Sequence, residues 1–211
     1  PDAFTETTPA SGPGTLTYQW ESSITGCSSG FSIITGAANA TYDPPANLTQ
    51  TTYYHRVVTS TLNGVACSAN GNCITVNVNN VTAGVVAGDQ TICSGGDPVD
   101  FTVTTPASGP GTLTYQWERS ITDCSSGFSI ITGATNASYN PPSGLTQTTY
   151  YHRIVTSTLN GLACSATGNC ITVTVNNVSA GAVAANQTIC SGGDPDAFTE
   201  TTPASGPGTL T

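Results

Sequence analysis

LTYQWE, residues 113–118, sets Leu113, Tyr115 and Trp117 on one face of the chain and Thr114, Gln116 and Glu118 on the other. That alternation has the two-residue period of a half-buried strand and not the 3.6-residue period of a helix. The stretch belongs to TYQWERSITDCSSGFSIITGA (114–134), which repeats TYQWESSITGCSSGFSIITGA (17–37) at an offset of 97. TTYYHRVVTSTLNG (51–64) returns at the same offset as TTYYHRIVTSTLNG (148–161). Between 1–97 and 98–194, 18 positions differ, so 79 of 97 agree. Self-similarity at a fixed period marks a tandem array. The period is too long for a solenoid unit and suits a small sandwich domain of about 100 residues. Residues 195–211 (PDAFTETTPASGPGTLT) repeat 1–17 without change, whereas 98–114 reads PVDFTVTTPASGPGTLT. The first and third copies agree and the second departs, which suggests a two-domain super-period of 194 residues. With no initiator Met and no signal peptide, the chain is expected to be a mature or internal segment of a longer polymer.

The second copy supplies a complete set of predicted strands. Ala83–Cys93 reads as the first, followed by the turn Ser94-Gly-Gly-Asp-Pro98. Val99–Thr105 reads as the second, with Phe101 and Val103 on one face, and Pro106–Gly111 as a loop. The LTYQWE strand is the third. Shorter strands are expected at Phe128–Ile131 and Asn136–Tyr139, before the breaker pair Pro141-Pro142. A long strand over Thr148–Thr158 and a last one carrying Ile171, Val173 and Val175 complete the copy. About seven short strands with a Trp in the third predict an all-β chain of tandem immunoglobulin-like β-sandwiches, with Tyr150 or Tyr151 placed for a tyrosine corner. The boundaries expected are 1–80, a repeat lacking its first strand; 81–178, a complete repeat; and 179–211, the first two strands of a third. The missing strand would come from a preceding covalent segment or from a neighbour by strand addition. Trp20, Trp117, Tyr54 and Tyr151 are expected core residues.

Composition excludes several partners. Only 7% of the 211 residues are charged, the three cations are Arg56, Arg119 and Arg153, and the net charge is −9. So few cations cannot neutralise a nucleic-acid backbone or an anionic membrane surface. No apolar run approaches the roughly 18 residues of a membrane span. With no Lys, a Lys–Asn isopeptide lock is chemically closed, and trypsin sites are almost absent.

The ordered set QTICSGGDP, LTYQW, ITGATNASYNPP, LTQTTYYHR, a Cys-bearing loop and ITVTV resembles the tandem Ig-like repeats of giant Bacteroidota cell-surface proteins, including gliding-motility-type adhesins exported by the type IX system. The resemblance covers the whole chain. It implies an extracellular multi-repeat adhesin or fibre whose repeats carry no catalytic residues.

Four cysteines recur per repeat: Cys27, Cys67, Cys73 and Cys93, then Cys124, Cys164, Cys170 and Cys190. In a Thr-rich chain of low charge they read as disulfides formed in an oxidising compartment. Zinc is disfavoured, because Cys164-x5-Cys170 lacks CxxC spacing and no His stands at ligand distance in sequence. Four cysteines allow three pairings. Placing Cys93 and Cys124 at one pole and Cys164 and Cys170 around the last hairpin favours Cys93–Cys124 and Cys164–Cys170, with Cys67–Cys73 equivalent to the latter. The two-cysteine relatives keep only the first and last of these regions, which implies an alternative bridge between consecutive domains.

Other candidate chemistry is thin. His152-Arg153 and His55-Arg56 lie inside a strand with no partner nucleophile motif, and Gly-x-Ser-x-Gly and HExxH are absent. Asp97, Asp100, Asp2 and Glu6 near one turn raise a calcium reading, but no EF-hand or RTX spacing accompanies them. Asn39, Asn47, Asn80, Asn136, Asn177 and Asn186 open N-x-[ST] triplets, a glycosylation pattern that a Thr- and Asn-rich chain also produces by chance. No cofactor is expected and no enzyme. The sequence reads as a structural or adhesive extracellular filament that self-associates or continues end to end, with a surface glycan or cell-surface target as possible partner. The alternative is a carbohydrate- or ligand-binding accessory module of a secreted protein.

Overall fold

The computed structural model describes residues 1–184 and 186–211. Among these the chain is all-β, with no helix. It divides into two compact units, Pro1–Asn80 with Thr158–Ala163, and Val81–Ser157 with Cys164–Thr211.

The first unit holds β1 (Thr15–Ser23), β2 (Ser32–Ile33), β3 (Thr52–Leu62), β4 (Val65–Asn70) and β5 (Ile74–Val76). They form one antiparallel sheet in the order β2-β1-β3-β4, with β5 also on β3. β4 pairs with the upper half of β3, Leu62↔Val65 to Val57↔Asn70, and β5 with its lower end, Thr52↔Val76 to Tyr54↔Ile74. The two are halves of one returning strand, offset where the Gly71 amide donates to the Arg56 carbonyl at 2.8 Å. Trp20, Ala37 and Tyr54 are buried on one face, with Phe4, Ile34, Tyr42, Ile74 and Val76 partly covering them.

The second unit repeats this plan and adds to it. Its strands are β6 (Val85–Ala87), β7 (Gln90–Cys93), β8 (Thr102–Thr105), β9 (Thr112–Ser120), β10 (Ser129–Ile130), β11 (Thr149–Leu159), β12 (Leu162–Thr167) and β13 (Ile171–Asn176). The large sheet runs β10-β9-β11-β13-β7, with β12 on the upper part of β11. A second layer, β6 paired with β8, covers it. Val86 and Phe101 of that layer meet Trp117, Tyr151, Ile171 and Val173 of the large sheet. In β11 the buried positions alternate from Thr149 through Ser157, as a strand with one face on the core must. Beyond it lie β14 (Ala182–Val183) and β15 (Glu200–Thr202), a two-stranded pair with every position exposed.

Two predicted strands are shorter or broken. Ala83–Cys93 is not continuous: β6 belongs to the small layer and β7 pairs in parallel with β13, Val173↔Gln90 to Asn176↔Cys93. The chain changes layers at Gly88-Asp89. A Cβ at Gly88 would stand 2.3 Å from the Phe101 ring, so any larger residue there would force that ring to move. Asp89 Oδ1 then accepts the Thr172 amide at 2.7 Å and fixes the exit. Val99 does not join β8, because the Gln90 side chain takes both its backbone groups, at 2.8 and 3.0 Å. Val103, in β8, stays exposed, whereas Phe101, which bridges Tyr139 just before that strand, is buried. Tyr151 makes no tyrosine corner: its ring is fully buried, but its hydroxyl has no hydrogen-bond partner.

Candidate functional site

The covalent feature of each repeat is a clasp. Cys27 is bonded to Cys73, and Cys124 to Cys170, each with a Cα–Cα distance of 5.7 Å. Each bond ties the loop after the Trp-bearing strand to the start of the lower half of the returning strand. The expected pairs Cys93–Cys124, Cys164–Cys170 and Cys67–Cys73 are therefore wrong. The error lies in the position of the last hairpin. Its turn is Asn160-Gly161, with φ of 49° and 81°, and Ser165–Thr167 lies within β12. Cys164 consequently sits high on the strand pair, beside Ser165, whose hydroxyl meets that of Thr156 at 2.8 Å. Cys170 lies low, next to Ile171, which is opposite Tyr151. The separation along the strand is several residues at about 3.3 Å each, beyond the roughly 7 Å a disulfide spans.

Cys67, Cys93, Cys164 and Cys190 are left as thiols. Cys93 is level with Asn176 on β13, three residues past Val173, which faces Thr149. Eleven strand positions, about 36 Å, thus separate the levels of Cys93 and Cys164. The two disulfides that do form point to an oxidising environment, extracellular or periplasmic. No helix among the described residues is long and apolar enough to cross a membrane.

The His-Arg pairs have structural surroundings. His152 Nε2 meets Glu118 Oε2 at 2.8 Å, and its ring stacks on Phe128 at 3.7 Å between centroids. His55, Glu21 and Phe31 repeat this arrangement, with the same 2.8 Å contact and a 3.8 Å stack. Arg153 is 1% exposed. It donates to the carbonyls of Ala137 and Ala83, the latter at 2.6 Å, and lies over the Tyr115 and Trp117 rings. Burial lowers its pKa, and the Tyr115 ring opposes that shift. Arg56 likewise donates to the Ala40 carbonyl and lies over the Tyr18 ring, and in addition reaches Glu6 at 2.6 Å. The acid–base reading of these residues gains no nucleophile from the geometry. The four expected core residues, Trp20, Trp117, Tyr54 and Tyr151, are all buried.

No group of three or more His, Cys, Asp or Glu side chains fit to hold a metal occurs among the described residues. Of the acids considered for calcium, Glu6 is engaged with Arg56. Of the candidate glycosylation sites, Asn80 and Asn177 use their amides to hold the carbonyls of Thr49 and Thr146.

Asn169 is a structural residue that the sequence reading missed. Its side chain accepts the Val86 amide at 3.0 Å and donates to the Val86 carbonyl at 2.8 Å, pinning β6 onto the large sheet. In the first unit the equivalent Asn72 lines an open cavity of about 290 Å³ with Phe4, Trp20, Arg56, Gly71 and Ile74.

Disulfide-clasped β modules in tandem are the class of protein that this architecture defines. The chain belongs to the family described as Domain of unknown function (DUF8696), whose model matches twice, over residues 1–80 and 82–177. No curated protein and no solved structure matches the chain.

Proposed function

We propose that the chain is part of an extracellular, cell-surface filament or stalk built from tandem disulfide-stabilised immunoglobulin-like domains, of the kind that its resemblance to Bacteroidota adhesins implies. The work of each repeat is mechanical, and the reading assigns it no catalysis. The observation that carries it is the clasp. Cys124–Cys170, 46 residues apart, encloses all of β11 and β12 in a closed covalent loop. Tension applied between the chain ends cannot extend that loop, whatever happens to the hydrogen bonds. A carbohydrate-binding accessory module is less well supported, because Trp20 and Trp117, the side chains best suited to stack on a sugar, are buried.

Single-molecule stretching tests the proposal. With the disulfides intact, each module that opens should release less length than after reduction, by about 160 Å for 46 residues at about 3.4 Å each. Modules whose released length is unchanged by reductant, or that open without measurable resistance in the oxidised state, would overturn the mechanical reading.

A further inference from the structure

Of the three cations, Arg119 is the one that the fold leaves unused. Arg56 is paired with Glu6, and Arg153 is buried against carbonyls and rings. The Arg119 guanidinium forms no hydrogen bond or ion pair among the described residues. The two acids nearest to it in sequence are already taken. Glu118 meets His152, and Asp123 accepts the amides and hydroxyls of Ser125 and Ser126. Arg119 also stands at one of the positions where the repeats differ, its counterpart being Ser22.

Arg119 borders a cleft of about 320 Å³ in the second unit. One wall includes Ser129 of β10, which lies opposite Arg119 in the sheet. Another is the loop carrying Gly144, Thr146 and Gln147. That loop is pinned through its backbone. The Gly144 amide donates to the Gly96 carbonyl at 2.9 Å, and the Leu145 carbonyl accepts the Gly95 amide at 2.7 Å. The Thr146 carbonyl accepts the Asn177 side chain at 3.1 Å. The side chains of Thr146 and Gln147 are exposed and make no hydrogen bond within the described chain. Gly144 has φ 82° where the first repeat has Asn47, so the two repeats differ at this wall too. Ile121, 61% exposed, adds an apolar spot. The cleft thus combines an unpaired guanidinium, two free hydrogen-bonding side chains and a small apolar patch on a fixed frame.

We propose that this cleft binds the carboxylate of a uronic-acid unit in an acidic polysaccharide. A guanidinium takes a carboxylate through two parallel hydrogen bonds. The Thr146 hydroxyl and the Gln147 amide supply donors and acceptors for ring hydroxyls, and Ile121 meets the C–H face of the sugar. The volume stands at the lower end of the roughly 300–1,000 Å³ of small-ligand sites, room for about one sugar unit. No aromatic ring lines the cleft, so recognition rests on charge and hydrogen bonds and needs neither tryptophan. An acidic peptide presents the same carboxylate, but β10, the edge strand beside the cleft, has two residues and is too short to template an added strand. The net charge of −9 does not oppose one carboxylate, because charges beyond about 8 Å are screened at physiological ionic strength. The inference goes beyond the mechanical reading and does not rest on it.

The test uses the full oxidised chain and a galacturonic-acid tetramer, followed by isothermal titration. Saturable binding at one site per chain is expected. Methyl esterification of the tetramer should weaken it by about 10-fold or more, because the charged hydrogen bonds are lost. Arg119→Ser should weaken it by a similar factor. That variant carries the residue found at Ser22, so its thermal melt should match that of the parent. A parent chain that does not bind the tetramer, an ester that binds as tightly as the acid, or an R119S chain that keeps full affinity would each overturn the inference. A glutamic-acid tetramer bound as tightly as the uronate would overturn the choice of a sugar. None of these outcomes touches the length change produced by reduction, so the mechanical reading stands or falls separately.

Discussion

Arg153 and Tyr151, two positions apart on β11, show how polar groups are placed inside a sandwich that has few charges. Arg153 has carbonyl acceptors and aromatic faces in place of a carboxylate, while its Nε and the Tyr151 hydroxyl have no partner. Burial, with a smaller effect from Tyr139, pushes the Tyr151 pKa up to about 12. A phenol that ionises near 10 when unfolded and near 12 when folded leaves stability unchanged below pH 10 and subtracts from it as pH rises from about 10 to 12, by roughly 2–3 kcal/mol in total. Tyr151→Phe should therefore flatten the alkaline fall in stability relative to the parent chain. At pH 7 it should be neutral or stabilising by about 1 kcal/mol, because it removes a buried hydroxyl that makes no bond. Denaturant titrations of both chains at pH 7 and pH 11 check this.

Among the elements, the period-two strands were legible and the breaks between them were not. The alternation of Leu113, Tyr115 and Trp117, and that of Ile171, Val173 and Val175, placed β9 and β13 because side-chain periodicity is a local property. The division of Ala83–Cys93 into β6 and β7 depends on Phe101 reaching Gly88 from another layer, and the strand pattern carries no sign of it. The last hairpin was legible, since Asn-Gly between apolar strands is a strong two-residue turn signal. Placing the hairpin between Cys164 and Cys170 instead, at Ser165–Asn169, leads to the wrong disulfide pairing. Gly161 has φ 81° and open space around a would-be Cβ. Gly161→Ala should thus destabilise by about 1–2 kcal/mol through backbone conformation alone. A thermal-melting comparison in which the variant loses nothing would show that the turn does not hold this geometry.

For the whole molecule, the 97-residue period was fully legible, because near-duplicate sequence is visible without any physics. The open side of the first unit agrees with the expectation that residues 1–80 lack the first strand of the repeat, but the part of Asn169 in clamping that strand was not legible, because it depends on a contact 83 residues away in the chain. The eight cysteines divide into four that are bonded and four that are not. Native alkylation followed by intact-mass measurement should add four labels per chain, and eight after reduction and unfolding. Any other count would overturn the pairing. The distance between the levels of Cys93 and Cys164 gives those thiols a particular character. Neither can close a ring with the other inside its own module, so oxidation acting on this pair makes a cross-link between modules. A mild oxidant that joined Cys93 of one module to Cys164 of another would therefore act like vulcanisation, adding bonds between modules to the two disulfides already closed within them.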